Sequence, residues 1–173
     1  PPDWPDQAMV NGYWFLDRPE EWQPPSRLKA FLDAGDAPVY IGFGSMAGRN
    51  PRRLADIAIE SLTQTGMRGI LATGWGGLEA AQLPENILKI DNAPHDWLFP
   101  RMSAVVHHGG AGTTGAALRA GIPSIIIPFF FDQGFWADRL EKLGAGPPRL
   151  SKKALTPQTV TSCINKILGD KIM

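Results

Sequence analysis

The stretch Ser103–Gln133, SAVVHHGGAGTTGAALRAGIPSIIIPFFFDQ, decides how the rest of the chain is read. It opens on an apolar strand, Ala104-Val105-Val106, that ends at the doublet His107-His108. Small residues run from Gly109 to Thr114, followed by a helical pattern through Leu118 to Ala120 that Gly121 and Pro123 stop. A second apolar strand, Ser124 to Ile127, ends at Pro128 and leads to Asp132-Gln133. A strand, a glycine-rich turn and a helix in that order make an anion site. The first amides of the helix have no partners inside it, and the helix dipole places partial positive charge at the same end. Glycine lets the backbone approach phosphate oxygens with no Cβ in the way. Thr113 and Thr114 add hydroxyl donors, and His108 adds a ring N–H at the strand's end. The turn reads as a diphosphate cradle. His107 points to the opposite side of its strand and reads as a structural residue.

Around this stretch, 173 residues suffice for one well-packed domain and are few for two. Lys plus Arg and Asp plus Glu balance at 17 each, so no net charge draws the chain to nucleic acid or an anionic membrane. The single Cys163 has no internal disulfide partner, in keeping with a reducing, cytoplasmic setting. The opening PPDWPDQAMVNGYWF has no basic segment followed by an apolar one, so it does not read as a leader. The longest apolar run, from Ile122 to Phe131, is broken by prolines and short of the roughly 20 residues a spanning helix needs.

Residues 1–27 are rich in proline and tryptophan and read as an extended strap laid along a surface, ahead of a domain spanning 28–173. A short helix from Leu28 to Ala34 precedes a buried strand, Val39 to Phe43, and the turn Gly44-Ser45-Met46. Asn50 caps a helix that starts at Pro51 and runs to about Thr65, with Leu54, Ile57, Ala58 and Leu62 on one face. Further strands follow at Arg68–Thr73 and Ile87–Ile90, and a short helix at Asp96–Phe99. Beyond the quoted stretch, Asp132 caps a helix ending at Gly144, and Thr156-Pro157 opens a last one through Leu168. Strands alternate with helices throughout, which predicts an α/β fold: a Rossmann-like parallel sheet with helices on both faces. Ligands of such sheets bind beyond the carboxyl ends of the strands. Five loops meet there: Gly44-Ser45, Gly74-Trp75, Asn92–His95, His108–Thr114 and Pro128–Gln133.

The runs Asn92-Ala93-Pro94-His95-Asp96-Trp97-Leu98-Phe99-Pro100, His107-His108-Gly109-Gly110-Ala111-Gly112-Thr113-Thr114, Gly121-Ile122-Pro123, Pro128 and Asp132-Gln133 resemble the donor domain of GT-B glycosyltransferases. Val39–Met46 and the Pro2-Asp3-Trp4-Pro5 strap are most similar to the UDP-glucose:sterol glucosyltransferases among them. HHGGAGTT alone is shared with bacterial enzymes that glycosylate antibiotics. The resemblance implies that the domain binds UDP-glucose. Gly44, Ser45, His108, Gly110, Ala111, Gly112, Thr113 and Thr114 would hold the diphosphate. His95, Asn92 and Trp75 would meet the uracil, and Asp132 and Gln133 the glucose hydroxyls. Asn92 stands where many relatives carry a tryptophan, and Ala116 where they carry a ribose-binding glutamate, so ribose recognition has no assigned residue. The resemblance also implies an N-terminal acceptor domain, normally on the same chain, that supplies a histidine base and has no counterpart in these residues. The full-length enzyme would act in the cytoplasm, at a membrane surface where the acceptor is a sterol or other lipid. No Asp-x-Asp pair occurs, so no metal or other cofactor is expected.

Each residue also has a plainer reading. Asp132 serves equally as a helix cap, His95 as part of a proline turn and Ser45 as a turn residue. Trp75 and Trp97 read as packing residues first. Phe129, Phe130, Phe131, Phe135 and Trp136 read mainly as core, with the path of a lipid acceptor as the alternative. Three other functions stay open: a donor domain for an antibiotic aglycone or glycolipid, a donor subunit needing a separate acceptor subunit, and a non-catalytic nucleotide-sugar module.

Overall fold

The sheet is built outward from β1 (Val39–Gly42), whose four residues are all buried. The structure is a computed structural model that describes residues 4–44, 51–72 and 83–169; Ser45, Asn50 and Trp75 lie outside these. From β1 the chain passes through α2 (Pro51–Thr65) to β2 (Gly69–Ala72) and on to β3 (Ile87–Ile90). It then returns through α3 (His95–Leu98) and a 3₁₀ turn at Phe99–Arg101 to β4 (Ala104–His107) on the other side of β1. α4 (Ala111–Arg119) leads to β5 (Ser124–Ile126), and α5 (Gln133–Lys142) and α6 (Pro157–Gly169) complete the order; α1 (Ser26–Asp33) precedes β1. The five strands are parallel in the order β3-β2-β1-β4-β5.

Both faces of the sheet are covered, so the strands are mainly apolar, with Lys89 of the edge strand β3 exposed, and their residues divide by alternation. Val39, Ile41, Leu71, Ile87, Ala104, Val106 and Ile125 pack with Leu54, Ala58 and Leu62 of α2 and Val160 and Ile164 of α6. Tyr40, Ile70, Leu88 and Val105 turn the other way, against Leu28, Leu98, Phe99 and Ala117. Ile126 packs separately with Ala137 and Leu140 of α5. Fully burying one such side chain contributes roughly 1.5–3 kcal/mol, so this two-layer core carries most of the fold's stability. Among the described residues no helix is long and apolar enough to cross a membrane.

Several boundaries move by a residue or two. α1 begins at Ser26 rather than Leu28, because Pro25 (φ −52°) sets the entry and its carbonyl accepts the Lys29 N–H at 3.0 Å. The capping role expected of Asp132 is corrected. Its backbone is already helical (φ −75°, ψ −5°), whereas a side-chain cap needs an extended residue, and its carboxylate makes no cap bond. Oδ2 instead accepts the Trp136 indole N–H at 2.7 Å. The core assignment of the aromatic run is also corrected in part. Phe129 packs on the core, but Phe130, Phe131 and Phe135 are 47, 90 and 52% exposed. Phe131 adopts a left-handed φ of 52°, which turns it outward.

The strap is anchored between Tyr13 and Trp22. The Tyr13 ring lies where a Cβ on Gly115 would come within 2.6 Å of it, so only glycine at that point of α4 admits the ring. Tyr13 also meets Trp136, with ring centroids 5.6 Å apart. Asp17 pairs with Arg119 at 2.6 Å, Arg18 with Asp96 at 2.7 Å, and Trp22 sets its ring edge-on to Trp97. Partial burial would raise the Asp96 carboxyl, but bonds from the Arg18 amide and guanidinium and from the Trp97 amide hold it below the usual value.

Candidate functional site

The strand order reverses between β1 and β4, the point beyond the carboxyl ends of the strands at which sheets of this kind form their ligand crevice. The last residues of the two strands, Gly42 and His107, stand side by side in register. The loops leaving the two strands therefore face each other across the crevice, with Gly44 on one side and His108 and the start of α4 on the other. A Cβ on Gly44 would stand 3.8 Å from His108 Cε1, and a Cβ on Gly110 only 2.6 Å from His108 Nε2. The imidazole of His108 is thus lodged between the two glycines, with Nε2 directed over the N-cap of α4. Its buried Nδ1 has no partner among the described residues. Burial pushes the His108 pKa down, and the nearby Asp132 carboxylate opposes this.

Gly110 is the N-cap of α4, extended at φ −62° and ψ 141°, and receives no side-chain cap bond. The helix has no acidic residue in its first turn. Its leading amides and the positive end of its dipole are therefore unneutralised by side chains, the condition for holding an anion. Ala111 and Thr113 are half-buried and Gly112 is exposed at this end. Thr114 departs from expectation: it is fully buried, on the same side of α4 as Ala117, and its amide donates to the Gly110 carbonyl at 3.0 Å. Helical rotation turns this residue toward the sheet, so its hydroxyl does not reach the crevice.

A broad cavity of about 1240 Å³ lies beside this end of α4. Gly112, Thr113 and Ala116 line one wall, Ala93, Pro94 and His95 a second, and strap residues from Trp14 to Gln23 a third. His95 stacks on Phe99, with centroids 4.2 Å apart, and meets the edge of Tyr40. Burial lowers its pKa, with Asp96 opposing; burial also pushes the Tyr40 hydroxyl up to about 12. Asn92 is exposed and is not among the cavity's walls. Asp132 and Gln133 are not among its walls either, and Asp132 lies close enough to His108 to act on its charge. Gln133 is buried, and its Oε1 accepts the amides of Phe129 and Phe130 at 2.6 and 3.1 Å, which braces the loop carrying Phe131 and Asp132. Among the described residues no group of three or more His, Cys, Asp or Glu side chains could share a metal ion.

Two features of the site are not read from the sequence. The anchoring of the strap joins residues 78 and 102 positions apart, a distance at which charge pairing leaves no local pattern. The bond from the Gly109 amide to His107 Nδ1 at 3.1 Å does leave a signal, a histidine two residues before a glycine turn, but strand alternation alone makes that histidine no more than structural.

Residues 72–173 match the family model of the erythromycin biosynthesis protein CIII-like C-terminal domain. The chain belongs to this family. Its EryCIII-like domain is 45% identical over 173 residues to a sterol 3-beta-glucosyltransferase of Arabidopsis thaliana, covering 99% of this chain and 27% of that protein. It is 43% identical over 183 residues to the sterol 3-beta-glucosyltransferase of Saccharomyces cerevisiae, covering 99% of this chain and 15% of that one. The chain thus spans about a quarter or less of these relatives. Among solved structures, the glycosyltransferase of kitacinnamycin superposes with a TM-score of 0.71 at 21% identity, covering 91% of this chain and 40% of that one. The glycosyltransferase VinC, in complex with dTDP, gives 0.67 at 26% identity over 82% of this chain and 36% of its own. These likenesses show the fold of the EryCIII-like domain to be that of GT-B glycosyltransferases, as the sequence motifs implied.

Proposed function

We propose that this EryCIII-like domain binds UDP-glucose as the donor half of an inverting, metal-independent glucosyltransferase that acts on the hydroxyl of a sterol or related lipid. The observation that carries the reading is the N-terminal end of α4, open and uncapped at the strand-order reversal, with His108 Nε2 directed over Gly110. The diphosphate would rest on the amides of Gly110, Ala111, Gly112 and Thr113, flanked by Gly44 and His108. The uracil would enter the cavity beside His95, and the sugar would lie toward Asp132 on the far side of His108.

In the reaction, the acceptor oxygen attacks the anomeric carbon, and the bond from that carbon to the β-phosphate oxygen breaks. The electron pair leaves on UDP, and the hydroxyl proton passes to a base outside this chain. What the domain supplies is stabilisation of the charge growing on UDP. Preorganised donors of this kind are often a dominant catalytic contribution, and loss of one costs roughly 100- to 1,000-fold in rate. The sterol acceptor is favoured by the relatives at 43 and 45% identity. The family model's own description favours a second reading, in which the acceptor is an antibiotic aglycone.

Calorimetric titration of this chain with UDP in the presence of EDTA tests the donor reading. Binding should persist unchanged by EDTA, and His108→Ala should weaken UDP more than uridine. Loss of binding in EDTA would defeat the metal-independent mechanism, and equal weakening of UDP and uridine would move His108 away from the phosphates.

A further inference from the structure

We propose that His107 is a positioning residue for the diphosphate turn: its buried Nδ1 accepts the Gly109 N–H at 3.1 Å and so sets the turn that aims the first amides of α4 at the phosphates. The inference rests on the donor reading above.

Three sets of contacts place His107 in this role. First, its backbone is clamped between two strands, in register with Gly42 of β1 and Ile126 of β5, and its carbonyl accepts the Ile127 N–H at 2.9 Å. A ring attached to so constrained a backbone is a rigid reference point. Second, alternation along β4 returns His107 to the side of Val105, the layer covered by α3 and α4, where it has no solvent exposure. Third, the residue it holds can only be glycine. Gly109 has φ +92°, and a Cβ there would lie 2.6 Å from Ile126 Cγ2 and 3.1 Å from the Gln133 carbonyl. Gly109 is buried, and at this φ its amide belongs to neither the strand before it nor the helix after it. The imidazole supplies the acceptor that neither element provides.

The ring must be neutral for this, with the proton on Nε2, because Nδ1 is the acceptor. Burial, with His108 and His95 close by, pushes its pKa down to about 3 and keeps it neutral. His107 and His108 thus divide the work of the doublet: one faces inward and sets the turn, the other faces the crevice.

The test compares His107→Phe, which fills the space without an acceptor, with His107→Asn, whose carboxamide oxygen restores one. UDP and uridine are titrated by calorimetry and unfolding is followed in parallel. His107→Phe should weaken UDP about tenfold, as expected for a misdirected charge-assisted bond, while uridine changes by less than about twofold. His107→Asn should recover most of the UDP affinity. A folded His107→Phe that binds UDP like the wild type overturns the proposal. So does a loss of UDP and uridine together that follows stability and is not rescued by Asn, since that is the mark of a merely structural role. Wild-type protein that binds no UDP would sink the donor reading as well. If His107→Phe does not fold, ¹⁵N NMR of the wild type decides: an unprotonated Nδ1 coupled to the Gly109 N–H supports the proposal, and a protonated Nδ1 overturns it.

Discussion

Replacing Gly110 with alanine isolates the contact on which phosphate binding depends. The backbone does not resist, because φ −62° and ψ 141° are ordinary for alanine. The side chain does, because the new Cβ would lie 2.6 Å from His108 Nε2 and 3.4 Å from both neighbouring ring carbons. Ordinary contact begins near about 3.5 Å, so the ring must retreat by about 1 Å from the helix N-cap. His108 is only half-buried and its Nδ1 has no partner among the described residues, so no hydrogen bond there holds the ring against this shift. The stability gained by replacing glycine at a compatible site, about 0.4–1 kcal/mol, offsets this local adjustment. Binding suffers more, because a hydrogen bond to a charged group contributes about 1.5–3 kcal/mol, or about 10- to 150-fold in affinity. Calorimetry with UDP and uridine, with thermal unfolding alongside, should show UDP weakened by at least about tenfold, uridine little changed and Tm within a few degrees. UDP affinity within about twofold of wild type at unchanged Tm would refute the placement of His108 over the phosphate site.

Acid should destabilise the fold well above the carboxylate range. Burial lowers the pKa of all three histidines, His107 to about 3, so between that value and the ordinary 6.5 the unfolded chain binds more protons than the folded one. Stability is then full above neutral pH and falls on acidification, by up to about 1.4 kcal/mol per pH unit for His107 alone. Urea unfolding midpoints should drop steadily from about pH 7.5 to 4.5; a constant midpoint would contradict the burial of these rings. The strap gives a separate prediction. Gly115→Leu places its Cβ 2.6 Å from the Tyr13 ring and should detach residues near Tyr13, so that limited chymotrypsin cleavage after Tyr13 becomes faster while the core stays folded. An unchanged cleavage rate would show that the strap does not depend on this contact.

Much of the fold is legible in the sequence because its signals are local. The apolar runs at Val39–Gly42, Ile87–Ile90 and Ala104–His107, the Pro51 start of α2 and the glycine turn before α4 each announce themselves within a few residues. The strand order is not legible in the same way, since the central strands are apolar on both faces and no alternation marks a partner. At the site, His108 and Gly110 follow from the turn chemistry, but Thr114 does not. Whether a hydroxyl three residues into a helix faces ligand or sheet depends on the helix's rotation, and that is set by Ala117 and the sheet beneath it. Asp132 and Phe131 fail for a related reason: a helical backbone at one and a left-handed turn at the other are decided by how Gln133 braces the loop from within.

A crystal structure of this chain soaked with UDP tests whether the start of α4 holds the diphosphate. Both phosphates should lie within hydrogen-bond distance of the Gly110, Ala111 and Gly112 amides, with His108 Nε2 donating to one of their oxygens. Phosphates found anywhere else, with the start of α4 left untouched, would contradict this placement.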